Sequence, residues 1–292
     1  PDFDEYTAQA ERLVEEVTGL RSLAGPARAR VTDRAGWVHA NVTSFGRLLR
    51  PVLDRLGTRA TRNPLAPVSR LVAGAQLGTM LGWMSTRVLG QYDLLLVDGD
   101  EHDDQDLVYF VGPNVLALEK RFGFPPREFR LWLALHEVTH RAQFTGVPWM
   151  RGHFLSLVER SLGGLDPDPR RFLHALRRSV DDLRAGRNPL DDGGLVALVA
   201  GPEQHAVLQQ VQGLMSLLEG HGDVTMNRAG AALVPSADRF HRTLHQRRND
   251  ITGPARLLQR LLGLEAKMKQ YEQGERFIAA VGQPVDFKIL AH

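Results

Sequence analysis

Two histidines one helical turn apart, with a glutamate following the first, constrain this chain more than anything else in it. They form the segment His136-Glu137-Val138-Thr139-His140. A spacing of four puts both imidazoles on one face of a helix. Phe129, Leu133 and Phe144 fall on the same stripe, so the rings are expected on the side turned toward the core. Arg130 and Arg141 fall off that stripe and are expected at exposed positions. Unpaired ring nitrogens on an apolar face are costly, and a shared metal ion removes that cost. Glu137 lies about 100° round the helix from His136. It can reach a water at the metal and take its proton without becoming a ligand. Zinc held by three protein groups, with a fourth position open, brings such a water's pKa close to neutrality.

Composition narrows what else the chain can use. Cysteine is absent from all 292 residues, which excludes disulfides, thiolate catalysis and cysteine-ligated zinc. A metal must therefore sit on histidine and carboxylate. The absence also fits a reducing cytoplasm, which is the expected location. Hydrophobic residues at 43% and charged residues at 24% are the balance of a globular chain. No apolar run approaches the roughly 18 residues a membrane span needs, and none is expected to enter a membrane. Pro1–Leu20 is acidic and amphipathic, unlike a secretory leader. Formal net charge is only +2. The basic pairs Arg170-Arg171 and Arg177-Arg178 are followed by Asp181-Asp182 and Asp191-Asp192. Solvated helix faces are the expectation there, and a nucleic-acid partner is not.

Along the chain, apolar residues at helical spacing mark Asp4–Leu20 and Val38–Leu56, and Pro64–Leu89 reads as a long buried helix. Two short β-like runs follow, Tyr92–Val97 and Leu107–Val111, joined by the acidic turn Asp98–Asp106. That turn lacks the glycine and glutamate positions of an EF-hand loop, so it reads as a solvated hairpin tip rather than a calcium site. Gly112-Pro113-Asn114 is expected to end the second strand. Pro125-Pro126 announces the helix that carries the two histidines, which should stop near Gly146 and Pro148. Helices are further expected over Met150–Leu162, Pro169–Leu183, Glu203–Met226 and Leu257–Val281, with Arg184–Gly194 as a linker. The fold class is therefore mainly α with some β: helical, with one small sheet beside the His136 helix. The chain reads as a single domain over 1–292, divisible into two lobes, 1–145 with the sheet and the histidines and 146–292 with the third ligand. Oligomeric state is not encoded in any visible pattern.

Two histidines are an incomplete site. Val211, Met215 and Glu219 are spaced by four, so Glu219 projects from an apolar stripe where a bare carboxylate would be costly. Glu219 is the chosen third ligand. Asp223, one turn further, can accept the other ring N–H of a ligand histidine. Gly213, Gly220 and Gly222 are unusual inside a helix, and close approach to the His136 helix would account for them. Glu159 is nearer in sequence but sits in a charged surface patch, and His221 points off the Glu219 face. A buried structural carboxylate pair is the non-functional reading of Glu219 and Asp223.

Leu135-His136-Glu137-Val138-Thr139-His140-Arg141-Ala142-Gln143-Phe144, together with Leu217-Leu218-Glu219-Gly220-His221-Gly222-Asp223, resembles the zincin-like metallopeptidase type 2 family. These are bacterial proteins regarded as hydrolases, some labelled as associated with biosynthesis of a deazaflavin coenzyme. The resemblance extends to Tyr109-Phe110-Val111-Gly112-Pro113-Asn114, to Gly263-Leu264-Glu265-Ala266-Lys267 and to Gln270-Tyr271. It implies a zincin-like fold, a gluzincin-like site with His136, His140 and Glu219 on Zn2+ and Glu137 as base, and a strand Leu107–Val111 beside the cleft. A peptide or small amide is the implied substrate. Tyr271, His241 and His245 are candidates to stabilise the oxyanion. The spacing of His241 and His245 also admits a second metal site, although Arg242, Arg247 and Arg248 crowd them as on a solvated face. The competing expectation is a non-catalytic zinc-bearing scaffold or partner-binding protein on the same fold.

Overall fold

The computed structural model describes residues 2–60, 66–94, 106–163 and 202–249. The sequence-expected helices Pro169–Leu183 and Leu257–Val281, the linker Arg184–Gly194 and most of the acidic turn lie outside the described residues.

Helix α1 (Asp2–Thr18) buries Phe3, Thr7, Ala10, Val14 and Thr18, a run of three- and four-residue steps that makes one continuous stripe. Strand β1 (Arg28–Thr32) follows, then α2 (Arg34–Ala60) and α3 (Ala66–Ser85). Strand β2 (Gly90–Tyr92) and strand β3 (Leu107–Val111) lead directly into α4 (Gly112–Phe122) and then α5 (Pro126–Gly146). Helix α6 is Met150–Gly163, α7 is Pro202–Gly230 and α8 is Ala237–Asn249. The protein is mostly helical with one small three-stranded sheet.

The sheet has the order β1-β3-β2, with β1 parallel to β3 and β2 antiparallel to it. All five residues of β3 are buried, as expected of a central strand covered on both faces. Strand β1 is absent from the sequence expectations. Its Arg-Ala-Arg-Val-Thr run is half-exposed to exposed throughout, so it lacks an apolar alternation and owes its state to pairing with β3. Strand β3 ends at Gly112-Pro113-Asn114 as expected, and the same residues begin α4, which the sequence did not announce. Proline lies in its first turn, where a missing N–H costs nothing. Gly123, at φ 59° and ψ 41°, ends α4, a left-handed turn that glycine adopts without strain. The expected burial of α3 is only partial, since Leu71 is 74% exposed while Leu81 is fully buried.

Contacts group the described residues into two units. The first comprises residues 1–148 and 225–237. In it α1 lies along α5, and Phe3 stacks on Phe110 of β3 with ring centroids 4.0 Å apart. Trp37, Leu81 and Val111 form a cluster that joins α2, α3 and β3. The Trp37 indole donates to the Gln91 side-chain oxygen at 2.7 Å, and Gln91 in turn donates to Asn41 at 3.1 Å. This fixes β2 against α2. Ser236 N donates to Glu128 Oε2 at 2.9 Å, tying the approach to α8 to the first turn of α5. In the second unit, which includes residues 149–163 and 202–224, Leu157 and Val207 are buried, and the Gln204 side chain donates to the Ser161 carbonyl. Among the described residues no helix is long and apolar enough to cross a membrane.

Candidate metal centre

Helix α5 is built for burial. Phe129, Leu131 to Leu135, Val138, Thr139 and Arg141 to Phe144 are all buried, so most of its circumference meets protein. Pro125 is extended at its N-cap and Pro126 opens its first turn, which sets its start. His136 and His140 are half-buried on this helix. Their rings stand edge to face, with centroids 4.6 Å apart and planes at 86°. Two rings in that relation can aim one nitrogen each at a common point.

The outer nitrogens are engaged. His136 Nδ1 lies 3.2 Å from Met226 Sδ, and His140 Nδ1 lies 3.0 Å from Gln143 Oε1. Asp223, expected from the sequence to accept a ring N–H of a ligand histidine, is half-buried one turn beyond Glu219. Helix α7 is unbroken from Pro202 to Gly230, so Glu219 stands on the same rod as Met226, two turns earlier. One ligand-type atom each from His136, His140 and Glu219 all lie within 4.8 Å of one another. Ligands at about 2.0 Å from a tetrahedral zinc are about 3.3 Å apart. Two imidazoles and a carboxylate match the donor chemistry of a zinc site with one position left open. The residues present fit the ion.

The rivals are not drawn in. Glu159 is exposed on α6, and His221 is buried on α7. His241 and His245 stack on α8 with centroids 6.2 Å apart. Among the described residues the three-donor group contains none of them. Tyr271 lies outside the described residues.

Glu137 is 6% exposed and stands outside the ligand group. Its Oε2 accepts a hydrogen bond from Tyr92 N at 3.1 Å. The strand's period of two explains the donor. Asp93 N bonds to Leu107 O, and Val111 N bonds to Leu89 O, so residues 89 and 93 spend their backbone groups on β3. The intervening Tyr92 amide therefore faces the outer edge of the sheet, where α5 packs. Gly90 makes the approach feasible. A Cβ there would lie 2.7 Å from both Cγ and Oε1 of Glu137, far inside contact distance. Neither Gly90 nor the Tyr92 amide was identifiable beforehand, because both act through a pairing that β-like patterning does not specify.

Two sequence expectations about α5 and α7 are overturned. Arg141 is 1% exposed, not a surface residue. It donates to Asp106 through Nε at 3.0 Å, to Glu11 Oε1 at 2.7 Å and to the Gly25 carbonyl at 2.7 Å. Asp106, expected on a solvated tip, is buried with φ 56° at the entrance to β3. A buried guanidinium persists because each side of its fork meets an acceptor. Arg130 is 21% exposed rather than on a free surface. Its hydrogen bonds to buried Glu119 hold its pKa above the ordinary arginine value. Gly213 is exposed with open space around it, so close helix approach does not explain it. Gly220 and Gly222 are buried, and a close approach to α5 occurs at Gly230, where a Cβ would meet Leu135 Cδ1 at 3.2 Å.

The model of the family described as Zincin-like metallopeptidase matches residues 2–290. The chain belongs to the zincin-like metallopeptidase family. A search of curated proteins returns no match. A crystal structure from Chloroflexus aurantiacus, described as a putative hydrolase with a novel fold, is similar at 30% identity and a TM-score of 0.69. The match covers 100% of this chain and 82% of that one. Together with the family, this zincin-like chain's likeness to that structure supports a hydrolase.

Proposed function

We propose that this zincin-like protein is a zinc-dependent hydrolase of amide bonds, with a peptide or small amide as substrate and the cytoplasm as its setting. The observation that carries the reading is the convergence of His136, His140 and Glu219 within 4.8 Å. Zinc bound there supplies Lewis-acid activation of a water and of a carbonyl group. The two imidazoles and Glu219 hold the ion, and Asp223 adds a second carboxylate to that face of α7. Glu137 accepts the proton of the attacking water and passes it to the leaving nitrogen. The Tyr92 amide holds Oε2 of that carboxylate and so orients the group. Tyr271 is proposed to stabilise the oxyanion.

Metal analysis of protein purified without added metal, followed by zinc titration, tests the centre. One equivalent of zinc is expected, and no uptake would refute it. Glu137→Gln is expected to keep the zinc and lose at least about 10²-fold in turnover, the range for a general base. Zinc uptake without cleavage of a broad peptide library would leave a zinc-bearing scaffold in place of an enzyme.

A further inference from the structure

The contacts behind the two ligand histidines point beyond the metal set itself. A metal-bound imidazole usually donates its other N–H to a carboxylate, a backbone carbonyl or water, which fixes the tautomer and the ring's orientation. Here the partners differ from that pattern. Gln143 follows His140 by three residues, so the two side chains are neighbours on the α5 surface. Gln143 is 3% exposed, and its Oε1 lies 3.0 Å from His140 Nδ1. A carboxamide oxygen only accepts. With the carboxamide oxygen turned to the ring, the proton sits on Nδ1 and the ring lone pair on Nε2. Met226 plays the same part from α7. It is 3% exposed, and its thioether sulfur, also only an acceptor, lies 3.2 Å from His136 Nδ1.

We propose that Gln143 and Met226 are positioning residues that hold His140 and His136 in the Nδ1–H tautomer, directing both Nε2 atoms at the metal. This rests on the zinc reading for its purpose but not for its geometry. Both acceptors are neutral. They fix the tautomer without the added ring basicity that a carboxylate partner supplies.

The test uses the full chain, metal-free and labelled with 15N-histidine, at alkaline pH. Two-bond 1H–15N spectra report the tautomer of each ring, and competition with a chromogenic chelator reports zinc affinity. In the wild type both rings are expected as Nδ1–H. In Gln143→Leu, His140 is expected to become a tautomer mixture while His136 is unchanged, and zinc affinity should fall about 10- to 100-fold. Gln143→Glu is expected to restore the tautomer and bind zinc at least as tightly as the wild type. Met226→Leu, which preserves side-chain volume, is expected to disturb His136 alone and gives an independent second variant. Unchanged tautomers and unchanged zinc affinity in both leucine variants would overturn the proposal while leaving the zinc centre standing. A wild type that takes up no zinc would refute the zinc centre, and the metal-free spectra would still decide the roles of Gln143 and Met226.

Discussion

At the scale of single residues, the most exacting requirement falls on position 90. Gly90 leaves just enough room for Glu137 to lie against β2. Gly90→Ala puts a methyl group where the Glu137 carboxylate and its Cγ now sit. The helix backbone beneath His136 and His140 is untouched by that change. Gly90→Ala is therefore expected to bind zinc like the wild type and to lose about 10²-fold in turnover, the penalty for misplacing a reacting group by about 1 Å. Zinc titration alongside steady-state kinetics separates the two effects. A parallel loss of zinc would mean that Gly90 supports the fold rather than the base. The histidines themselves were legible from the sequence because a four-residue spacing on a helix is a local property. Gly90 was not, since its reason lies 47 residues away in a side chain of another element.

At the scale of elements, α5 is held from behind by Arg141 as firmly as it is presented in front by the histidines. Its guanidinium joins α5 to α1 through Glu11, to the loop at Gly25 and to the start of β3 through Asp106. Removing it takes the guanidinium from buried Asp106 and leaves Glu11 with the Ala27 N–H. Arg141→Met is expected to lower stability by about 3–5 kcal/mol, the cost of breaking a buried pair by deleting one member, measured as a shift in urea midpoint at constant slope. A loss within ±0.5 kcal/mol would show that water replaces the guanidinium. The sequence misplaced this residue because patterning assigns charge to the outside and cannot see two carboxylates arriving from residues 11 and 106. The same limit hid β1, whose arginines look like loop, and α4, whose Gly-Pro start looks like a strand's end. Gly230→Val is a second test at this scale. The branched side chain must displace Leu135, and a cost of about 1–3 kcal/mol is expected from overpacking, whereas Gly213→Ala, in open space, should not destabilise and should gain a few tenths of a kcal/mol from helix propensity.

At the scale of the whole molecule, the metal set draws on residues far apart in the chain, at 136, 140 and 219. Such a set does not pre-exist in the unfolded chain, so a zinc ion taken up there would bind the folded form and stabilise it by mass action. At a free zinc concentration 1,000 times Kd the gain is about 4 kcal/mol. Thermal unfolding in the presence of a strong chelator is expected to occur at a lower temperature than with zinc. His140→Ala should remove that difference, and a variant that keeps it would place the ion elsewhere. The mainly α architecture with one small sheet was readable from periodicity and turn residues, since both are written in neighbouring positions. The parallel pairing of β1 with β3 was not, because it depends on residues separated by some 80 positions with helices intervening.

The hydrogen bond from the Tyr92 amide to Glu137 belongs to the peptide group, not to tyrosine. Replacing Tyr92 by any residue with an N–H leaves the donor in place, so a scan of side chains would pass over one of the contacts that aims the base. Only Tyr92→Pro, or an ester linkage at that bond, deletes it. The orientation of the proposed base is thus insured against nearly all single-codon changes at the position that provides it, while the ring at 92 packs on Phe144.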